Sequence, residues 1–439
     1  MDMEWPLILF LIFGSLLFLF SLGIPIAFAF LLIDIIGVYL LWGGESGLHQ
    51  LVLNMFDAVS LFTLIPIPMF ILMGEIMFRT GIGLQVFEAL GKWLGRLPGR
   101  LSLLAVGSGT LFSVLTGSSV ASTALLGSLL VPEMKQRRYS HEMSIGPILG
   151  SAGLATMIPP TALGVLLASL AGVPVGQFLV AIIVPGLMLS FIFVVYIVMR
   201  CWLQPSLAPS YEVETVSLRE KWRDTVRYIL PLGFVVFVVI GVIILGIATP
   251  TQSAVFGVLG TMLLALFYRK LSWSLLLESL KGTVHITVMI LTIIVASTSF
   301  SQILSFTGVT QGLIQYVTSL HLDPIILLIV IQLVLLILGC FMEPVSIMMM
   351  TLPVLMPIAQ AMQFNPIWFC VILLLNMQLA TMTPPFGMDL FAMKGVVGEG
   401  VRMDEIYRAA VPFILLNIVV LCLLIFFPSL SLWLPEVMS

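Results

Sequence analysis

Apolar residues fall along this chain in long blocks separated by short polar or charged gaps. Segments near 5–22, 24–42, 59–78, 143–170, 178–199, 229–247, 250–268, 284–306, 366–393 and 411–434 are long enough to cross about 30 Å of hydrocarbon as helices, some with tilt or a break. Two further blocks, 101–134 and 326–360, are too long for one crossing. Each is cut in the middle by polar or acidic residues, Gly117-Ser118-Ser119 in one and Met342-Glu343-Pro344 in the other. Two mixed stretches, 45–57 and 271–281, predict amphipathic arms along the membrane interface.

The cations decide how the two interrupted blocks run. Lys and Arg in short loops mark the cytoplasmic face. Here they occur at 79, 92, 96 and 100, at 135, 137 and 138, and then within 200–227, 269–281 and 394–408. Block 101–134 begins and ends beside such loops, so its chain goes in and comes back. Two arms of about 16 residues reach only about 24 Å each, which favours a re-entrant hairpin over two full crossings. Block 326–360 lies in a stretch with no Lys or Arg from 282 to 393, as expected for a hairpin entering from the periplasmic face. Both termini are then expected outside, the 201–228 linker inside, and all 18 cations on the cytoplasmic side.

The chain also repeats itself. Leu154-Ala155-Thr156-Met157-Ile158-Pro159-Pro160 recurs as Leu379-Ala380-Thr381-Met382-Thr383-Pro384-Pro385, and the same offset carries Pro132 onto Pro357 and the first hairpin tip onto the second. Arg79-Thr80-Gly81 similarly matches Phe306-Thr307-Gly308, and Val184-Pro185 matches Val411-Pro412. Each copy is expected to hold five crossings and one hairpin. Five is odd, so the second copy enters the membrane upside down. Inverted repeats with interrupted helices mark transporters, with the site at the repeat interface near the midplane.

Composition agrees. Of 439 residues 60% are hydrophobic and only 9% charged, against about a quarter charged in soluble domains. An 18 to 21 balance of basic and acidic residues without a basic tract argues against nucleic-acid binding. Four scattered Cys give neither a disulfide framework nor a zinc site, and Asp2 and Glu4 stand where a signal peptide would be basic. No GxxxxGK[ST], HExxH or GxSxG motif occurs. An enzyme is not expected.

Two prolines in succession remove two N–H donors from a mid-membrane helix, and backbone left open there survives only where it lines a cavity or is buried in protein. The carbonyls that Pro159-Pro160 and Pro384-Pro385 leave unpaired therefore need partners. A sodium ion, a hard cation taken by carbonyls, hydroxyls and carboxylate, suits the nearby oxygens. These are Thr116, Ser118, Ser119, Ser122, Thr156 and Thr161 in the first copy, and Glu343, Asn376, Thr381 and Thr383 in the second. Simple kinks with hydroxyls back-bonded to the helix are the structural alternative. Glu343, an acid at the tip of an apolar hairpin, is the sharpest candidate; a protonated or helix-capping role is its alternative. Asp34 is expected to meet another subunit or a membrane edge, and Glu75 to pair with Arg79 one turn on. Asp389 and Lys394 are expected to flank the solute side of the second break. The hairpin tip at Ser118 to Ser122 places a positive helix end where an anion could sit.

Ile67-Pro68-Met69-Phe70-Ile71-Leu72-Met73-Gly74-Glu75, Gly117-Ser118-Ser119-Val120-Ala121, Pro132-Glu133-Met134, Gly339-Cys340-Phe341-Met342-Glu343-Pro344 and Thr383-Pro384-Pro385-Phe386-Gly387 resemble, in order along the chain, the large membrane (M) subunit of tripartite ATP-independent periplasmic (TRAP) transporters. The resemblance implies a sodium-driven importer of organic anions, carboxylates or acidic sugars, in the bacterial inner membrane. It implies partnership with a four-helix small membrane subunit and a periplasmic substrate-binding protein, and an elevator movement of a transport unit against a scaffold. It assigns 1–58 and 229–283 to scaffold and arms. The transport unit takes 59–200 and 284–435, with 201–228 as the linker. The linker is too short to contain the small subunit, so a separate chain is expected. With the residue reading, the sodium set becomes Gly117, Ser118, Ser119, Ser122, Thr156, Pro159, Met342, Glu343, Thr381, Thr383 and Pro384. The solute set is Ser118, Ser119, Pro160, Asn376, Pro385 and Asp389. Glu343 departs from the family's usual aspartate at that tip. A proton-coupled or stand-alone anion carrier of the same superfamily is the alternative.

Overall fold

The computed structural model describes residues 4–438 apart from 96, 117 and 210–215, and leaves the side chains of 112–116 and 438 undescribed. The described residues are helices and their connections. In chain order come α1 (Trp5–Ser21), α2 (Ile26–Leu41), α3 (Glu45–Val59), α4 (Pro66–Thr80) and α5 (Ile82–Leu94), then α6 (Arg100–Thr116) and α7 (Ser119–Gln136). The chain continues through α8 (His141–Met157), α9 (Ala162–Leu170), α10 (Val175–Ala181) and α11 (Ile183–Leu203), and crosses a linker helix α12 (Leu218–Asp224). The remainder comprises α13 (Leu230–Ile244), α14 (Pro250–Phe267), α15 (Trp273–Phe306), α16 (Val309–Ser319), α17 (Pro324–Gly339), α18 (Pro344–Ala361), α19 (Pro366–Thr381), α20 (Met388–Val397), α21 (Met403–Phe426) and α22 (Ser429–Met438). Among the described residues seven continuous helical runs are long and apolar enough to span a bilayer, or eight when α8 and α9 count as one span bent by 47°. The chain is an all-helical polytopic membrane protein.

Local chemistry sets the helix boundaries. Proline opens α4, α14, α17, α18 and α19, where a missing N–H costs nothing. Thr249 and Gln252 form a reciprocal capping box on α14. Gly81 and Gly308 take left-handed φ values of 61° and 76° after α4 and α15, so the matched Thr-Gly pairs are matched helix stops. Both interrupted blocks are pairs of helices packed on each other as hairpins, α6–α7 and α17–α18, the second turning at 340–343. Both Pro-Pro pairs separate two helices, α8 from α9 and α19 from α20, and both prolyl bonds are cis.

The second arm departs from expectation. Residues 271–281 do not form a separate interfacial segment: from Trp273 they are the first turns of the 34-residue α15, which runs without a break into the following span. No glycine or proline interrupts the polar-to-apolar change until Gly282, and a single glycine inside a helix costs only about 1 kcal/mol. The first arm, α3, is separate and ends before α4.

Burial shows what the bundle protects. Every residue of α8 from Met143 to Met157 and every residue of α19 from Trp368 to Thr381 is buried. The outer helices turn large apolar side chains outward, among them Phe10, Leu40, Phe237 and Phe267, each more than 70% exposed. The broken helices thus form the centre and the unbroken ones meet lipid, as the lack of hydrogen-bonding solvent in hydrocarbon demands. Gly339, at the end of α17, marks the tightest approach: a Cβ there would stand 2.0 Å from that of Ala380 in α19. Only glycine lets the second hairpin lie this close to the second broken helix.

Candidate functional site

A cavity of about 370 Å³ lies where the two hairpin tips and the two helix breaks meet. Ser118, Ser119 and Ala121 line it from the first tip, and Glu343, Pro344 and Val345 from the second. Thr156, Pro160 and Ala162 enter from the first break, Thr381 and Met388 from the second. The first residues of four helices, α7, α9, α18 and α20, therefore share one wall-to-wall space. Each helix N-terminus carries a partial positive charge and unpaired N–H groups. Side-chain caps occupy part of that capacity: Ser118 accepts from Ala121 N at 3.4 Å and Thr161 from Gly164 N at 3.3 Å. Glu343, the residue before α18, accepts no capping bond.

Next to the cavity sits Asp389, in the first turn of α20 and fully buried. Thr381 Oγ1 donates to its Oδ2 at 2.7 Å, and the Ser119 side chain lies beside the carboxylate. Its Oδ1 is buried with no hydrogen-bond partner. Hairpin tip, helix break and carboxylate thus converge on one point.

Behind them a buried polar chain ties the breaks together. Thr156 Oγ1 is 3.2 Å from Gln378 Oε1, Gln378 Nε2 donates to Asn417 Oδ1 at 3.2 Å, and Asn417 Nδ2 donates to Phe413 O at 2.8 Å. This joins α8, α19 and α21.

The second break has protein partners for its open backbone. Cys340 Sγ reaches Pro384 O at 3.3 Å, and Tyr407 Oη donates to Pro385 O at 2.7 Å. Each of these two carbonyls therefore has one partner within the protein. Thr383 back-bonds to Leu379 O at 2.7 Å. Asn376 gives both contacts of its amide nitrogen to Gln332 of α17, at 2.8 Å each, and does not line the cavity. Met342 packs against the core, and Ser122 and Pro159 are buried beside the cavity without lining it. Gly117 lies outside the described residues. Asp389, expected on the solute side, is sealed behind the cavity wall. Lys394 caps the end of α20, donating to Gly398 O at 2.9 Å and Val401 O at 2.6 Å, and does not flank the site. Asp34 is no surface residue: it is fully buried on α2, both carboxylate oxygens lacking a hydrogen-bond partner. Glu75 pairs with Arg79 at 2.7 Å as expected, and also lines the cavity.

The geometry can be set beside known proteins. The family model for the "Tripartite ATP-independent periplasmic transporter, DctM component" matches residues 13–430. This chain belongs to that family. The DctM-family assignment is supported by the C4-dicarboxylate TRAP transporter large permease protein DctM of Pseudomonas aeruginosa, 33% identical over 400 residues that cover 90% of this chain and 91% of that protein. The ectoine TRAP transporter large permease protein TeaC of Halomonas elongata is 29% identical, covering 96% of this chain and 97% of its own. Among solved structures, the YdaH transporter of Alcanivorax borkumensis superposes with a TM-score of 0.64 at 13% identity, over 93% of this chain and 98% of that one, a likeness of fold.

Sequence reasoning missed Gln378, Asn417 and Gln332. Each is an uncharged amide in an apolar run, and that contrast was the available signal. It also missed the wall that α4 and α15 supply through Phe70, Gly74 and Met289, because ordinary apolar residues carry no mark of the cavity they face.

Proposed function

We propose that this DctM-family chain is the transport subunit of a sodium-coupled importer of an organic anion, a carboxylate or acidic sugar, working with a periplasmic binding protein and a separate four-helix membrane subunit. The carrying observation is the convergence of four helix N-termini on one cavity whose rim also supplies hydroxyls and two carboxylates. In broken-helix transporters, such N-termini face anionic solute groups, while helix C-terminal and unwound oxygens take the cation. Among the described residues the cavity is lined by two acids, Glu75 and Glu343, and by no lysine or arginine. An anion would therefore depend on helix ends, and on a cation bound beside it, for its positive surroundings.

The donor set fits sodium. Among the described residues no group of three His, Cys, Asp or Glu could hold a metal ion, and the oxygens around Asp389 are those a hard cation takes. Asp389, Ser119 and Thr381 would hold the ion, with the unpartnered Oδ1 as its first oxygen. When bound, sodium supplies the charge that neutralises Asp389. Ser119 and Thr381 then draw the first tip onto the second break, and Ser118 and the α7 N-terminus turn toward the solute. Ion and solute stabilise one closed arrangement of tips and breaks, which is coupling in thermodynamic terms. That arrangement also buries no uncompensated charge as it moves. The two halves are read as inverted repeats and the tips and breaks as the moving unit of an elevator, with both termini periplasmic.

Proton coupling is the second reading, because a buried carboxylate with one bare oxygen can also be satisfied by a proton. Proteoliposomes holding the large and small subunits, with the binding protein outside, separate the two. Uptake of labelled carboxylates, beginning with succinate, is expected to follow a sodium gradient and to vanish when potassium replaces sodium at fixed pH. Uptake driven by a pH gradient alone would establish the proton reading.

A further inference from the structure

A second and larger cavity, about 880 Å³, shares no lining residue with the transport site and opens among the basic loops. Four arginines line it: Arg219, Arg223 and Arg227 from the linker segment, and Arg269 from the turn after α14. The first three stand four residues apart and share one face of the continuous helical run formed by α12, the π-helical turn Thr225–Ile229 and α13. Glu220 and Asp224 lie on the neighbouring face and are held by Lys92 of α5, at 2.7 and 2.6 Å. Arg223 shares Asp224, at 3.3 Å. Among the described residues Arg219, Arg227 and Arg269 have no ion pair, and no carboxylate lines the cavity.

The aromatic frame is built to last. Tyr268 donates through its hydroxyl to Arg227 O and stacks on Tyr228, ring centres 5.8 Å apart. The Arg227 guanidinium lies 5.5 Å from the centre of the Tyr228 ring. Trp222, at the mouth, is 55% exposed and packs edge-on against Trp93 at 5.4 Å. Tyrosine and tryptophan beside arginine mark the headgroup level of a membrane.

What continues from the mouth identifies the occupant. Phe267 lines the cavity and is 73% exposed, and next to it the outer faces of α13 and α14 present Leu230, Phe234, Phe237, Leu263 and Leu266, each more than half exposed. A soluble anion would use the arginines and leave that apolar track idle. A phospholipid uses both.

We infer that this cavity is a binding site for the phosphate headgroup of an anionic phospholipid, with its acyl chains lying along α13 and α14. The Arg219, Arg227 and Arg269 guanidiniums take the phosphate oxygens. Gln85 of α5 reaches the same cavity, so the lipid also bridges the helix that leads into the first hairpin and the pair α13–α14.

The test reconstitutes the full chain in phosphatidylcholine bilayers containing a rising share of dibrominated phosphatidylglycerol, whose bromines quench nearby tryptophan fluorescence. The Trp222 contribution is isolated with Trp222→Phe. Quenching is expected to half-saturate at a several-fold lower share of brominated phosphatidylglycerol than of brominated phosphatidylcholine. The triple variant Arg219→Gln/Arg227→Gln/Arg269→Gln is expected to erase that preference, which as a whole is the equivalent of about 1 kcal/mol. Arg219→Lys/Arg227→Lys/Arg269→Lys keeps the charge and should keep a preference, which separates lost binding from a misassembled linker. Equal quenching by the two lipids, or a preference that survives the Gln variant, overturns the inference. Displacement of the brominated lipid by millimolar inorganic phosphate would assign the site to a soluble anion, and loss of quenching when the small subunit co-purifies would assign it to a protein partner; either overturns it.

Discussion

Asp389 shows how one buried carboxylate organises its surroundings. It is fully buried, takes Thr381 as a donor with Ser119 close by, and keeps one oxygen bare. A carboxylate at membrane depth costs several kcal/mol unless compensated, so its retention needs a counter-charge or a proton. Asp389→Asn should lower sodium-dependent uptake at least tenfold while leaving the amount of inserted protein unchanged; wild-type uptake would show that the residue only holds α20 in place. Thr381→Val removes one donor and keeps the shape, and should raise the sodium concentration for half-maximal uptake several-fold without abolishing transport. Glu343→Gln is expected to weaken uptake more than abundance, because Glu343 faces the cavity. At this scale the sequence was legible where polar groups gather at a hairpin tip or a Pro-Pro break, as for Ser118, Ser119, Thr156, Glu343 and Thr381. It was not legible for Asp34 or Asn376, whose surroundings are set by packing partners far along the chain: Asn376 meets Gln332 across 44 positions.

Helices and their ends form the next scale. Two hairpins and two Pro-Pro breaks put eight helix ends in the protein interior, and the bundle tolerates them because α8 and α19 are shielded over their whole buried length. The tight seat of α17 on α19 makes Gly339 a test of that arrangement. Gly339→Ala must push α17 off Ala380, and overpacking of this kind costs about 1–3 kcal/mol. A lowered midpoint of thermal unfolding in detergent, with weaker uptake, is the expected result; an unchanged midpoint would mean that the hairpin seats loosely. The hairpins and breaks were readable in advance because loop charge, arm length and paired prolines each constrain the chain locally. The fusion of the second arm into α15 was not, since continuity of a helix across a polar-to-apolar change depends on what packs beside it.

At the scale of the whole molecule, cavity and broken helices sit at the centre, unbroken helices face lipid, and the basic linker gathers at one end beside its own arginine-lined pocket. Membership of the DctM family and the fold shared with the YdaH transporter agree with that layout. The central claim is that both hairpin tips face one chamber and close on the same ion and solute. Cysteines at Ala121 and Val345, in a chain whose four native cysteines have been replaced, test it directly, since both positions line that cavity. A short bifunctional thiol reagent should cross-link them within one chain, faster in sodium than in potassium. Two cysteines that react singly and never join, at rates indifferent to sodium, would contradict the account.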